Sequence, residues 1–396
     1  QRKYIYDIQG GEDGKKLYDA VQKAIDKAKL LADVVIGLGH LGVDPSSSPW
    51  TSEEVIAHTS GFDAFIDGHS HTVMENKQVQ DASGKAVTLT QTGSYFANVG
   101  EMTIAADGTI TTKLIPTHEG MDAGIAAMQT GWVNTVDDML GEKIAVGDSD
   151  FYVSDPATGK RRIRSAETNL GDFVADGIYT YFNEVEKLHC DLAIMNGGGI
   201  RADVPAGDWT FKTCKQVSPF GNVACLMSVT GKQIQDALEF AARFAGEGGK
   251  ENGGFLQVAG ATYEIHTDIP NTVQTDEKNV WIGSATGTPR VQNVKIYDKA
   301  SGSYLPLDPG ATYALAGMNY TLRNLGDGFA MFDGAELIKD YVSEDYLVMS
   351  TYAMIFDGAD AAGLPHLSSA NSPLAAYPGY LLDYEQPYGA GRITIL

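Results

Sequence analysis

Two stretches decide the fold: Val34-Val35-Ile36-Gly37-Leu38-Gly39-His40 and Phe62-Asp63-Ala64-Phe65-Ile66-Asp67-Gly68-His69-Ser70-His71. Each is a short apolar run that ends in glycine and histidine. Such runs suit strands covered on both faces, as in a parallel sheet. Open α/β sheets hold ligands at the carboxyl ends of their strands, and neutral imidazole is the commonest protein metal ligand. His69 and His71 share a face if the chain stays extended. If it turns there, they address two neighbouring metals. Taken alone the pair also reads as loop histidines with no metal; His40, at an equivalent strand end, tips the reading toward a metal site.

Residues 14–32 place Leu17, Val21, Ala24, Ile25, Ala28 and Leu31 at the spacing of an amphipathic helix. Thr51-Ser52-Glu53-Glu54 has the form of a capping box opening a short helix to His58. With a short strand over residues 4–8, the order is β-α-β-α-β, which implies a parallel sheet flanked by helices. Beyond His71, residues 77–79, 86–91, 95–105 and 109–115 are expected as short strands in antiparallel hairpins. Residues 122–140 predict a connector helix stopped by Gly141. The expected domains are therefore 1–118, a connector over 119–141, and 142–396. In the last, helices are expected over 168–183 and 231–245. Strands are expected over 192–195, 262–266, 291–297, 312–318 and 391–396, giving a mixed α/β (α+β) domain.

The chain has 396 residues, enough for two or three domains. Its net charge of -22 argues against a general nucleic-acid surface, which needs a basic face. A small anion remains possible where cations concentrate. Lys160-Arg161-Arg162-Ile163-Arg164 is the densest basic cluster, and its default reading is a solvated turn. Cys190, Cys214 and Cys225 have neither metal-type spacing nor the even number of a disulfide framework. No apolar run is long enough to span a bilayer. The chain opens Gln1-Arg2-Lys3 without a signal-type apolar region, so an upstream segment is expected to have been removed.

Gly37-Leu38-Gly39-His40-Leu41-Gly42 and Gly68-His69-Ser70-His71-Thr72 resemble the last two metal motifs of the calcineurin-like metallophosphoesterases. Asn196-Gly197-Gly198-Gly199-Ile200-Arg201, Pro219-Phe220-Gly221, Gly254-Phe255-Leu256-Gln257-Val258 and Gly326-Asp327-Gly328-Phe329 resemble the C-terminal domain of 5'-nucleotidases. The resemblance covers nearly the whole chain and the motifs keep the family's order. It implies an N-terminally truncated metallophosphoesterase domain, the remnant of a β-sandwich with flanking helices. A helix joins this to the mixed α/β nucleotide-binding domain.

By that resemblance His40 and His69 bind one metal of a dinuclear centre and His71 the other. Two divalent ions (Zn, Mn, Fe or Co) are implied for the parent protein, absent or incomplete in this chain. Arg164 and Arg201 hold phosphate and ribose oxygens, Asn196 hydrogen-bonds the nucleotide, and Phe220 and Tyr320 sandwich the base. Asp327 accepts from the ribose hydroxyls. Tyr320 stands where the family usually has Phe, and its spacing to Asp327 is one residue longer than usual. The family's other metal motifs and its catalytic His-Asp pair do not occur upstream of His40, so no catalytic residue is assigned. The remaining histidines, His58, His118, His189, His266 and His366, are expected to be ordinary surface or core residues.

The implied function of the parent is metal-dependent hydrolysis of nucleoside 5'-monophosphates, with this chain by itself inactive. Two alternatives stay open: hydrolysis of 2',3'-cyclic nucleotides or other phosphate esters, and nucleotide binding without catalysis. The resemblance further implies rotation of the nucleotide-binding domain about the connector, and a secreted, periplasmic or cell-surface location. The expected partner is a nucleotide or nucleoside, not a nucleic-acid polymer, and the sheet edge left by truncation invites a dimer.

Overall fold

The computed structural model describes residues 10–11, 13–44, 47–117, 120–246 and 250–396. The strand expected over residues 4–8, and His118, lie outside the described residues. The chain divides into two compact units, one ending at Ala126 and one running from Ala127 to Leu396.

The first unit contains α1 (Lys15–Lys29), β1 (Ile36–Leu38), α2 (Ser52–Ala57), β2 (Ala64–Ile66), β3 (Val73–Gln80), β4 (Ala86–Thr92), β5 (Asn98–Ile104) and β6 (Ile110–Pro116). Its main sheet runs in the order β1-β2-β4-β3. β1 and β2 are parallel, in the register Ile36 to Ala64. The hairpins β3–β4 and β5–β6 form as expected, but β4 also pairs in parallel with β2. The alternation of Thr with Val and Leu in β4 suggests a strand with one wet face. Instead Val87, Thr88, Leu89, Thr90 and Gln91 are all buried: β4 lies between β2 and β3, and both of its faces are covered. α2 begins where the Thr51 hydroxyl accepts from the Glu54 amide at 3.2 Å, and it ends at His58, whose ring stacks on Tyr18. Val55, Ile56, Phe62, Phe65 and Leu89 are packed in the core beneath.

α3 (Ala123–Leu140) opens on Asp122, whose carboxylate accepts from the Ile125 amide at 3.0 Å. Gly141 stops it: a Cβ there would lie 2.2 Å from the Asp137 carbonyl oxygen.

In the second unit the chain runs β7 (Lys143–Gly147), α4 (Asn169–Thr180), β8 (Leu192–Asn196), β9 (Gly207–Thr210), α5 (Phe211–Val217), β10 (Ala224–Thr230), α6 (Gly231–Ala241), β11 (Leu256–Ala259) and β12 (Ala261–Ile265). It continues through β13 (Gln274–Thr275), β14 (Trp281–Gly283), β15 (Val291–Asp298), β16 (Ser303–Pro306), β17 (Thr312–Met318), α7 (Asn319–Leu322), β18 (Glu336–Lys339), α8 (Asp345–Met354), β19 (His366–Leu367) and β20 (Ile393–Ile395). The largest sheet is mixed, ordered β11-β8-β17-β10-β18, with β8 and β17 parallel.

Alternation along β8 divides the interior in two. Ala193 and Met195 join a core with Phe173 and Ile178 of α4, whereas Leu192 and Ile194 join one with Ile234 and Leu238 of α6. α4 is buried along its whole length, and the Thr168 hydroxyl caps it by accepting from the Gly171 amide. It gives way to a π-helical turn, Tyr181–Val185, where the expected helix ran on unbroken to 183. α6 ends at Ala241, short of the expected 245. Its last carbonyls are taken by side chains: Arg243 Nη1 donates to the Phe240 carbonyl and Asn252 Nδ2 to that of Ala241, both at 2.7 Å. Those bonds satisfy groups that a further turn would otherwise pair.

The C-terminal segment is tied to α4 through buried charge. Arg392 Nη2 donates to Asp176 at 2.7 Å, and the hydroxyls of Tyr380 and Tyr384 donate to the same carboxylate. Glu167 accepts from the amides of Gly391, Arg392 and Ile393. Burial, and then the neighbouring Glu167, push the Asp172 carboxyl well above the usual carboxylate range.

Candidate functional site

At the end of β8 the chain turns through a single 3-10 turn, Gly197–Gly199. The Gly197 and Gly198 amides donate to the carbonyls of Phe255 and Gly253, both at 2.7 Å. A Cβ at Gly197 would stand 2.3 Å from the Ile163 carbonyl oxygen. The triple glycine is thus a close crossing of backbones, which only glycine permits, and it brings the basic cluster beside β8. Gln257 of β11 holds the crossing segment, donating from Nε2 to the carbonyls of Ile163 at 3.1 Å and Ala166 at 2.9 Å. The Asn252 amide donates to the Arg164 carbonyl at 3.0 Å.

Arg164 is thereby aimed into a cavity of about 500 Å³. Its Nε is buried with no hydrogen-bond partner. Its nearest anion is Glu251, 3.9 Å from Nη1, and Glu251 is also engaged by Arg161 at 2.7 Å. Burial, then the positive charges of Arg161 and Arg201, lower the Arg164 pKa from its ordinary value. An incompletely satisfied guanidinium beside other cations is suited to a bidentate anion such as phosphate.

The opposite wall comes from the segment after α7. Asp327 has left-handed φ, as does Leu325 before it. This fold-back directs its carboxylate toward β8, where Asn196 Nδ2 donates to Oδ2 at 3.1 Å. Gly326 is packed against the Tyr320 ring, and a Cβ there would stand 2.5 Å from it. The Tyr320 hydroxyl donates to Asp327 Oδ1 at 2.9 Å. Burial, then the Asp327 charge, push the Tyr320 hydroxyl up to about 12.

Phe220, in the loop after α5, is 59% exposed, unlike a core phenylalanine. The Arg201 guanidinium carbon lies 5.6 Å from its ring centroid, and Arg201 Nη1 donates to the Gly198 carbonyl at 3.3 Å. Arg164, Asn196, Phe220, Tyr320 and Asp327 all line the one cavity, and Arg201 borders it through Phe220 and Gly198. The basic cluster is therefore not merely a solvated turn. Two participants carry no expectation from sequence. Asn222 lines the cavity and is positioned by its amide, which donates to Asp345 at 3.1 Å. Gln257 acts behind the wall. Asn222 directly follows the quoted Pro219-Phe220-Gly221, and Gln257 lies inside Gly254-Phe255-Leu256-Gln257-Val258 with no role assigned to it.

The histidines of the first unit are placed differently. His40 and His69 meet edge to face with ring centroids 5.3 Å apart. His71 instead faces Tyr95 at 6.3 Å, and both His69 and His71 have left-handed φ. Asp67, at the end of β2, has a buried Oδ2 with no hydrogen-bond partner. Among the described residues no three His, Cys, Asp or Glu side chains are grouped to hold an ion. A divalent ion takes four or more ligands. The described residues do not complete a set for the implied metals.

Residues 145–334 match the family described as "5'-nucleotidase, C-terminal domain". Over these residues the chain carries that domain. It is similar to "Trifunctional nucleotide phosphoesterase protein YfkN" of Bacillus subtilis (strain 168), with 30% identity over 80% of this chain and 20% of that protein. It is 26% identical to the human protein "5'-nucleotidase" over 84% of this chain and 58% of that one. Among solved structures, the 5'-nucleotidase precursor from Thermus thermophilus shares the fold with a TM-score of 0.58 at 22% identity, covering 96% of this chain and 67% of that chain. The chain thus spans from one fifth to about three fifths of the curated relatives it matches first. The 5'-nucleotidase matches cover both units, in keeping with the mixed α/β fold, and no described helix is long and apolar enough to cross a membrane.

Proposed function

We propose that the cavity bounded by Arg164, Asn196, Phe220, Tyr320 and Asp327 binds a nucleoside 5'-monophosphate, as part of a metal-dependent 5'-nucleotidase. The observation that carries this is the combination on one cavity of a partly unsatisfied guanidinium, two aromatic rings and a carboxylate. Each matches one portion of a nucleotide. Arg164 and Arg201 present forked donors to phosphate and ribose oxygens. Phe220 and Tyr320 offer π-faces to a base, which stacks on aromatics regardless of its identity. Asp327 and Asn196 address the sugar.

In this reading His40, His69 and His71 would contribute part of a site for divalent ions such as Zn, Mn, Fe or Co. The further ligands must come from outside the described set. A nucleotidase of this kind is proposed to act outside the cytoplasm, in a secreted, periplasmic or surface-bound form. Calorimetric titration with AMP, adenosine and 2',3'-cyclic AMP tests the binding claim. The expected result is saturable binding of AMP and adenosine that Phe220→Ala weakens. Phosphate release from AMP with Mn2+ or Zn2+ added tests the hydrolytic claim for a protein that supplies the full ligand set. Absence of AMP and adenosine binding at millimolar concentration would refute the proposal.

A further inference from the structure

Asp327 is already hydrogen-bonded twice before any ligand arrives. Tyr320 donates to one oxygen at 2.9 Å and Asn196 to the other at 3.1 Å. An ionised carboxylate has about four acceptor positions, so two remain for a ligand. How strictly such a carboxylate demands a ligand hydroxyl depends on what it is left with when the hydroxyl is missing. Sites built to bond a substrate hydroxyl reject the analogue lacking it because their own polar groups are stranded. A carboxylate with a donor on each oxygen is stranded far less than one with a single donor.

From this geometry we infer that Tyr320 is a specificity-determining residue. Its hydroxyl, by donating to Asp327, lowers the penalty for a nucleoside that lacks a ribose hydroxyl, so that deoxyribonucleosides are accepted beside ribonucleosides. The inference rests on the proposed nucleotide reading of the cavity and adds a sugar specificity to it. Tyr320 has a double part here, since its ring packs on Gly326 and lines the cavity while its hydroxyl faces Asp327. The hydroxyl is pushed up to about 12, so it remains a donor throughout the physiological range. Phenylalanine at this position would keep the ring and remove the donor, separating the two parts.

The test is a calorimetric double-mutant cycle on the intact chain, with adenosine, 2'-deoxyadenosine and 3'-deoxyadenosine as probes. The quantity read is the ratio of each deoxynucleoside's Kd to that of adenosine. Tyr320→Phe is expected to raise at least one ratio by about three- to tenfold, the net worth of one hydrogen bond. In an Asp327→Ala background the same substitution is expected to leave both ratios unchanged, which shows that the effect passes through the carboxylate. Ratios that Tyr320→Phe leaves unchanged overturn this inference alone. A rise that persists without Asp327 also overturns it. If the unsubstituted chain binds none of the three nucleosides, the nucleotide reading fails and this inference falls with it.

Discussion

Asn196 Nδ2 donates to Asp327 Oδ2 at 3.1 Å, joining the end of β8 to a loop 131 residues further along the chain. This bond closes one wall of the cavity. Asn196 is buried, so its removal strands an acceptor and leaves Asp327 held by Tyr320 alone. Asn196→Ala is expected to weaken adenosine binding by roughly 1–3 kcal/mol, the cost of an unsatisfied buried polar group. Calorimetry measures it; an unchanged Kd would remove this contact from the site.

Phe220 supplies the exposed face of the base pocket. Phe220→Ala should cost about 1–3 kcal/mol in nucleoside affinity, with the melting temperature little altered because the ring is not in the core. The same loss is expected for adenosine and inosine, since stacking tolerates any base. A loss confined to one base would show that Phe220 acts other than by stacking.

Gln257 positions the Arg164 segment without lining the cavity. Gln257→Leu deletes both donations, to the Ile163 and Ala166 carbonyls, and frees the segment to shift. Because Arg164 is assigned to anionic oxygens, AMP affinity should fall several-fold more than adenosine affinity, a difference of about 1 kcal/mol. Parallel titrations of the two ligands decide it. Equal losses for both would reduce Gln257 to a general stabilising role.

The buried Asp172 carboxyl has a folded-state pKa raised above that of the unfolded chain, chiefly through burial. A raised value means the folded state holds a proton that the unfolded state releases, so this contribution is present in acid and declines as pH rises through the folded value. Asp172→Asn stays neutral at all pH. It should therefore flatten the fall in melting temperature as pH rises above the ordinary carboxylate range, gaining on the unsubstituted chain at the alkaline end. Parallel declines in the two proteins would contradict the assignment.

Much of this arrangement was legible in the sequence because the informative residues sit where local chemistry fixes the backbone. Gly197 and Gly326 cannot carry a Cβ without collision, the first against the Ile163 carbonyl and the second against the Tyr320 ring, so they mark close approaches within quoted motifs. The parallel pairing of β1 and β2 followed from two aliphatic runs separated by a helix. Tertiary context hid the rest. β4 has the alternation of a one-sided hairpin strand, yet lies between β2 and β3 with both faces covered. α6 ends early because Arg243 and Asn252 cap it from beyond its own pattern. The local conformation that turns His71 toward Tyr95 while His40 meets His69 leaves no periodic trace in sequence. Nor does the hydrogen bond from Tyr320 to Asp327, which depends on the left-handed residues Leu325 and Asp327 on either side of Gly326.

That this cavity holds a nucleotide is the central claim, and a crystal structure of the chain grown with AMP tests it most directly. The base is predicted to lie between the Phe220 and Tyr320 rings, the ribose against Asp327 and the phosphate on Arg164. Density for AMP elsewhere on the chain, with this cavity filled only by solvent, would contradict it.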